Sequence, residues 1–283
     1  MPSTAPPTVE VIAPTFLPSR ETSTLRATWL GHACYYVEFP GGLRVLFDPV
    51  FEDRCSPFSF LGPKRYTKIP CEIGDIPIVD VVVISHSHYD HLSHPTVVAL
   101  HKAHPNAQFM VGLGLKKWFN ACGIENVVEM DWWEDVDLVL SPVTGEKRIS
   151  NASSTVAPNS ASSDITARIS CLPCQHTSAR TAFDKGVCAT SFSLKLDSPM
   201  RSRKASNFVN SIHCGALGHY RVVVNLFGSA EIQVNFPQSF FPMVAIKRST
   251  PFPYGPMCLQ YLLRIFPSNN PTRRVHLLSK IIY

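Results

Sequence analysis

The sequence has no continuous apolar run approaching the roughly 18 to 20 residues that a membrane-spanning helix needs, which excludes a helical span. Acidic residues are nearly missing from the last third. Residues 198–283 hold ten Lys or Arg against one acid, Glu231, whereas residues 1–197 hold sixteen against twenty. These late basic residues are scattered among Pro and apolar positions and form neither a block nor a helical stripe, so nucleic-acid binding is not expected. The start, Met1 to Pro7, lacks the basic and apolar regions of a secretory signal, and the expected location is intracellular, either cytoplasmic or peripheral on a membrane. Nine Cys is an odd number without framework spacing, so reduced thiols are expected in a chain this long. Cys171-Leu172-Pro173-Cys174 has no second C-x-x-C with which to build a structural zinc site. Gly112-Leu113-Gly114 lacks the third Gly and the Lys-Ser/Thr of a nucleotide loop and reads as a tight strand-to-helix turn.

With 45% apolar residues in 283, the chain has ample material for a core. Residues 1–24 are rich in Pro, Ser and Thr and read as a disordered or loosely attached N-terminal arm. Short strand-like runs follow at Leu25 to Leu30, Ala33 to Phe39 and Leu43 to Phe47, the last two joined by the hairpin signal Pro40-Gly41-Gly42. Phe51 to Ile76 has no regular periodicity, and a loop this long inside a domain usually serves a site. Further on, strand and helix alternate: a helix at Pro95 to His104, a strand at Ala107 to Val111, and a helix at Leu113 to Cys122 stopped by Gly123. Strands then follow at Asn126 to Met130, Val136 to Leu140, Ile165 to Leu172 and about Val187 to Leu196, the last able to pair back. Trp132 and Trp133 are expected to tuck against the core at a loop.

The densest chemistry is His86-Ser87-His88-Tyr89-Asp90-His91, three imidazoles and a carboxylate directly after the β-branched run Val79 to Ile84. That run reads as a strand buried on both faces, so the cluster lies where the strand surfaces. In extended backbone His86 and His88 share a side, while Asp90 and His91 diverge at the turn that follows and can reach a second position. The geometry favours two metals over one, and neutral imidazole with carboxylate suits zinc. His176 also stands at a strand end. Asp48 and His32 are candidates to orient ligand imidazoles or to act near the metals, although Asp48 before Pro49 also fits a plain turn residue.

The hexapeptide together with His176 resembles the metallo-β-lactamase superfamily. Thr28-Trp29-Leu30-Gly31-His32-Ala33, Phe47-Asp48-Pro49-Val50-Phe51, Gly62-Pro63-Lys64-Arg65 and Pro173-Cys174-Gln175-His176-Thr177-Ser178-Ala179-Arg180 narrow the likeness to the N-acylphosphatidylethanolamine phospholipase D family over about Ala27 to Leu196. The resemblance implies an α/β fold, an αββα sandwich with its site at the edge between two sheets, here incomplete at the C-terminus. It implies a first zinc held by His86, His88 and His176 and a second held by Asp90 and His91; Asp90 and His32 are the residues expected to act in catalysis. It also implies a phospholipid substrate met at a membrane surface, cleaved to an N-acylethanolamine and phosphatidic acid.

Two further ligands that the family carries have no match. Leu217 stands where a bridging Asp is expected, and His276 lies in unlike surroundings. One strongly held zinc, a weak second site and impaired activity are therefore expected. The likeness ends near the charge break at residue 198, which divides a domain over 25–197 from a divergent, basic, Pro-rich segment over 198–283, aberrant in origin or poorly ordered. Two other functions fit the same residues: a different hydrolase of this fold, such as a sugar-phosphate lactonase or a nuclease, and a non-catalytic metal-binding remnant.

Overall fold

The computed structural model describes residues 11–22, 25–65, 67–151 and 163–173, and the backbone of the strands between Thr190 and Leu262 named below. The first sheet is built from β1 (Arg26–Gly31), β2 (Cys34–Glu38), β3 (Arg44–Phe47), β4 (Val81–Ile84), β5 (Gln108–Gly112) and β6 (Val127–Met130). β1 to β3 form an antiparallel meander, and β3 to β6 run parallel. The parallel half follows from its connections, since α1 (His94–Ala103) and α2 (Lys116–Ala121) each return the chain to the same edge. Ser93 caps α1, Pro95 sits in its first turn, and Gly123 ends α2 with a φ of 77°.

Successive residues of the first sheet alternate between two cores. Val81 and Val83, with Val45, Phe47 and Met110, face the second sheet. Val82 and Ile84, with Leu46, Phe109 and Val111, face Val97 and Leu100 of α1 and Phe119 of α2. Every residue of β4 is therefore buried, as its unbroken β-branched run requires. The second sheet contains β7 (Asp135–Leu140), β8 (Lys147–Asn151), β9 (Ile165–Pro173) and β10 (Thr190–Asp197), and β10 pairs back antiparallel on β9. Leu138, Leu140, Ala167 and Ile169 close the core between the sheets. The layers are helix, sheet, sheet, and among the described residues no helix covers the outer face of the second sheet.

Several expectations change. The arm expected to be disordered or loosely attached over 1–24 is docked over its described part. The Arg20 guanidinium makes a bidentate pair with the buried Asp80 at 2.6 and 2.8 Å, Leu17 N donates to Glu38 Oε1 at 3.1 Å, and Phe16 packs edge-on against Tyr36. The anchors are single residues whose partners lie as far as sixty positions away, a spacing that composition does not register. Trp132 and Trp133 do not tuck inward: they are 43% and 73% exposed, because Trp133 takes φ 70° while its N–H closes on Cys171 O at 2.7 Å. β8 was not foreseen, since Lys147-Arg148-Ile149-Ser150-Asn151 has a single apolar residue.

The last third, in which no alternation of elements is legible, contributes five short strands. β11 (Asn210–Gly215), β12 (Val222–Leu226), β14 (Ala245–Arg248) and β15 (Leu259–Leu262) extend the second sheet, while β13 (Gln233–Asn235) pairs parallel with β1 in the first.

Candidate metal centre

The site gathers at the C-terminal ends of the first sheet's strands, where β4 releases Ser85 to His91 beside the turns that follow β1 and β3. His32 and Asp48 are both non-glycine residues at positive φ, 46° and 41°. Such backbone conformations persist only where surrounding contacts over-determine them. At His32 the preceding Gly31 turns at φ 106°, and Trp29 Nε1 donates to His32 O at 2.9 Å. At Asp48 the main-chain N–H donates to Val83 O at 2.9 Å, extending the β3–β4 ladder by one rung.

Asp48 is the organising group. Its buried carboxylate accepts from Ser85 N and from Ser85 Oγ, both at 2.7 Å, and lies 2.9 Å from His91 Nδ1. Ser85 Oγ is also 2.9 Å from His86 Nδ1. A hydroxyl has one proton, and here it goes to Asp48, so the assigned arrangement has His86 Nδ1–H donating to Ser85 Oγ and His91 Nδ1–H donating to Asp48. One carboxylate thereby sets two imidazole tautomers, His91 directly and His86 through Ser85, in which Nε2 of each is the nitrogen that could hold a metal. Metal-bound imidazoles are oriented in this way.

The charges support the same picture. Burial alone would push the Asp48 carboxyl up, but the His91 imidazole, its hydrogen bond and the Ser85 donors hold it below the usual carboxylate range. Burial likewise works against charging His91, and Asp48 with Asp90 overcomes it and raises its pKa. Asp90, against the burial that would raise it, is held well below its ordinary value by the hydrogen bond from His32 and the charges of His91 and His32.

His86 and His88 are buried, with ring centroids 4.5 Å apart, and His86 lies 4.1 Å from His91. On the solvent side His32 Nε2 is 2.9 Å from Asp90 Oδ2, and His91 Nε2 is 3.6 Å from the same oxygen. One ligand atom from each of His32, Asp90 and His91 lies within 4.8 Å of the others, close enough for a single cation. The donor set, neutral imidazole with an ionised carboxylate, fits zinc. Where the sequence suggests Asp90 and His91 alone, the group that could hold a metal ion also includes His32, which sequence reasoning took for a catalytic or orienting residue. Its signal was the Gly31-His32 turn, but nothing in one dimension places residue 32 against residue 90. His176, the expected third ligand of the first position, lies outside the described residues, as do Leu217 and His276. Cys174 lies outside them too, while Cys171 is buried with Sγ 3.7 Å from Met130 O.

A family model described as a β-lactamase superfamily domain matches residues 43–202. An N-acyl-phosphatidylethanolamine-hydrolyzing phospholipase D of Caenorhabditis elegans is 38% identical over 167 residues, 57% of this chain and 40% of that protein. The mitochondrial protein of the same name from Saccharomyces cerevisiae is 36% identical over 111 residues, 39% of this chain and 23% of its own length. A metal-dependent hydrolase of Koribacter versatilis is 32% identical over 108 residues, 38% of this chain and 40% of that protein. The chain thus spans less than half the length of each of these relatives. No described helix is long and apolar enough to cross a membrane.

Proposed function

The chain belongs to the metallo-β-lactamase superfamily, and from that premise we propose that it is a zinc-dependent phosphodiesterase that cleaves N-acylphosphatidylethanolamine to an N-acylethanolamine and phosphatidic acid. The observation that carries the reading is the Asp48–Ser85–His86 and Asp48–His91 relay, which fixes ligand atoms on two imidazoles at a strand end. Similarity to two phospholipases D of that specificity supports the substrate class.

His86 and His88 belong to one cation position, with His176, and His32, Asp90 and His91 to the other. Bound divalent cations would supply a water whose pKa falls from about 15.7 toward about 7 and would polarise a phosphoryl oxygen. Asp48 keeps the His86 and His91 imidazoles in their ligating tautomers. Asp90, ionised at neutral pH, stays an acceptor and a ligand. His32 holds its proton at Nε2 against Asp90 and can surrender that nitrogen to the cation. The half-exposed side of Asp90 and His32 is the face open to a phosphodiester.

The test is to supply the zinc-loaded chain with vesicles containing N-acylphosphatidylethanolamine and to measure both products. Release of both, lost on chelation and in His86→Ala, supports the reading; zinc content without turnover of any phosphodiester refutes it. That second outcome is what a non-catalytic metal-binding remnant predicts, and the Leu217 that stands in for the bridging Asp favours it.

A further inference from the structure

The Gly62-Pro63-Lys64-Arg65 element has no part in holding a metal, yet the structure builds it with care. Cys55 N donates to Pro63 O at 3.0 Å and Arg65 N donates to Asp53 O at 2.9 Å, so residues 53–65 form a closed hairpin with a bridge between Arg54 and Lys64. The Arg54 Nη1 donates to Gly62 O at 2.6 Å. Gly62 turns at φ 100°, and a Cβ there would lie 2.6 Å from Ser56 Cβ, so the turn admits only glycine. The hairpin is anchored beside α1, where Glu52 accepts from Ser93 Oγ and from Thr96 Oγ1.

This hairpin brings Arg65 beside Gly31, the residue before His32. Its guanidinium lies over Gly31, so close that an added Cβ would be 2.8 Å from Arg65 Nη2. Gly31 precedes His32, whose ring holds Asp90. The neighbouring Cys55 senses both charges: burial and then Asp90 push its thiol up, while Arg65 pulls it down. Nη1 of Arg65 is buried and has no hydrogen-bond acceptor among the described residues, and no described carboxylate pairs with the guanidinium. A buried N–H of a charged group left unsatisfied is unfavourable, and an acceptor oxygen arriving beside Gly31 would satisfy it. A planar fork of N–H donors matches the oxygens of a phosphoryl group.

We propose that Arg65 recognises the phosphoryl group of the substrate, its guanidinium donating to a non-bridging oxygen of an anionic phosphodiester seated at His32 and Asp90. The inference rests on the phosphodiesterase reading and gives that reading its anion-binding residue. Neutral esters and lactones would not use it.

The experiment titrates inorganic phosphate into the zinc-loaded chain by calorimetry, for wild type, Arg65→Gln, Arg65→Lys and the control Lys64→Gln, with zinc content and thermal midpoint measured for each. Lys64 is exposed and, among the described residues, its ammonium pairs with Asp53 at 3.5 Å, so its variant changes the same unit of charge away from Gly31. Phosphate affinity is expected to fall about tenfold or more in Arg65→Gln, part of the way in Arg65→Lys, and not in Lys64→Gln, with zinc content unchanged throughout. Should Arg65→Gln fail to fold, Arg65→Lys carries the comparison. Equal phosphate affinity in wild type and the Arg65 variants overturns the proposal, as does a wild type that binds no phosphate. Binding to N-acylphosphatidylethanolamine vesicles is measured alongside: loss on vesicles with phosphate affinity intact means a surface-charge role and also overturns it. If phosphate affinity depends on Arg65 while the wild type cleaves no phosphodiester, the anion site stands and the phosphodiesterase reading alone fails.

Discussion

The Asp48 carboxylate lies 2.9 Å from Nδ1 of His91, across forty-three residues of chain, with Asp48 buried and the His91 side chain 12% exposed. Asp48 sits at the end of β3 and His91 at the turn after β4, so the parallel pairing of these two strands creates the contact.

Asp48→Asn removes the charge while keeping the shape. Zinc affinity, measured by competition with a chromophoric chelator, is expected to fall about 10- to 100-fold, because His91 and His86 lose the acceptor that fixes their tautomers. The zinc-free protein should lose about 1 to 3 kcal/mol of stability in urea denaturation. An unchanged zinc affinity would sink the tautomer relay.

His32→Ala separates two roles for that residue. As the third donor of a cation with Asp90 and His91, its loss should lower zinc stoichiometry after dialysis, read by atomic emission, while His86→Ala depletes the other position. Full zinc content with a displaced pH–rate profile would mean instead that His32 moves protons and does not ligate.

The zinc-free protein should show a bell-shaped dependence of stability on pH. Asp48 is depressed below 3.8, so its contribution is present above that value and is lost as pH falls through the folded pKa. His91 is raised above 6.5, so its contribution is full below that value and is lost as pH rises through the folded pKa. Chemical denaturation from pH 3 to 9 tests this, and Asp48→Asn should flatten both limbs. Zinc binding displaces the proton of His91, so zinc affinity should rise with pH across the alkaline limb.

Gly31→Ala meets two obstacles at once, a φ of 106° and the Arg65 guanidinium. A loss of about 1 to 3 kcal/mol is expected in thermal denaturation. In the Gly31→Ala/Arg65→Ala double variant only the part due to contact should return, since the backbone strain stays.

Arg20→Ala takes the bidentate partner from the buried Asp80, which keeps the hydrogen bond from Arg44 N at 2.9 Å and Lys147 at 4.0 Å. Destabilisation of about 2 to 4 kcal/mol is expected, with proteolytic cleavage rising within residues 11–22. Unchanged cleavage would mean that Phe16 and Leu17 hold the arm without the ion pair.

The sequence by itself determined β1 to β6 of the first sheet and the identity of the cluster after β4. An unbroken β-branched run can only be a strand covered on both faces, and four ligand-type side chains in six residues leave little other chemistry. Cap and stop residues such as Ser93, Pro95 and Gly123 are local signals, and the helices they bound formed within a few residues of expectation. β8 was not legible, because its strand pairing with β7 overrides a polar pattern. Only the tertiary structure decided which residues act together. The approach of His32 to Asp90, the reach of Asp48 through Ser85 to His86, and the placement of Arg65 over Gly31 join chain segments separated by thirty to sixty residues. Such contacts are fixed by the register of neighbouring strands and by loop closure, and neither has a counterpart in local residue pattern.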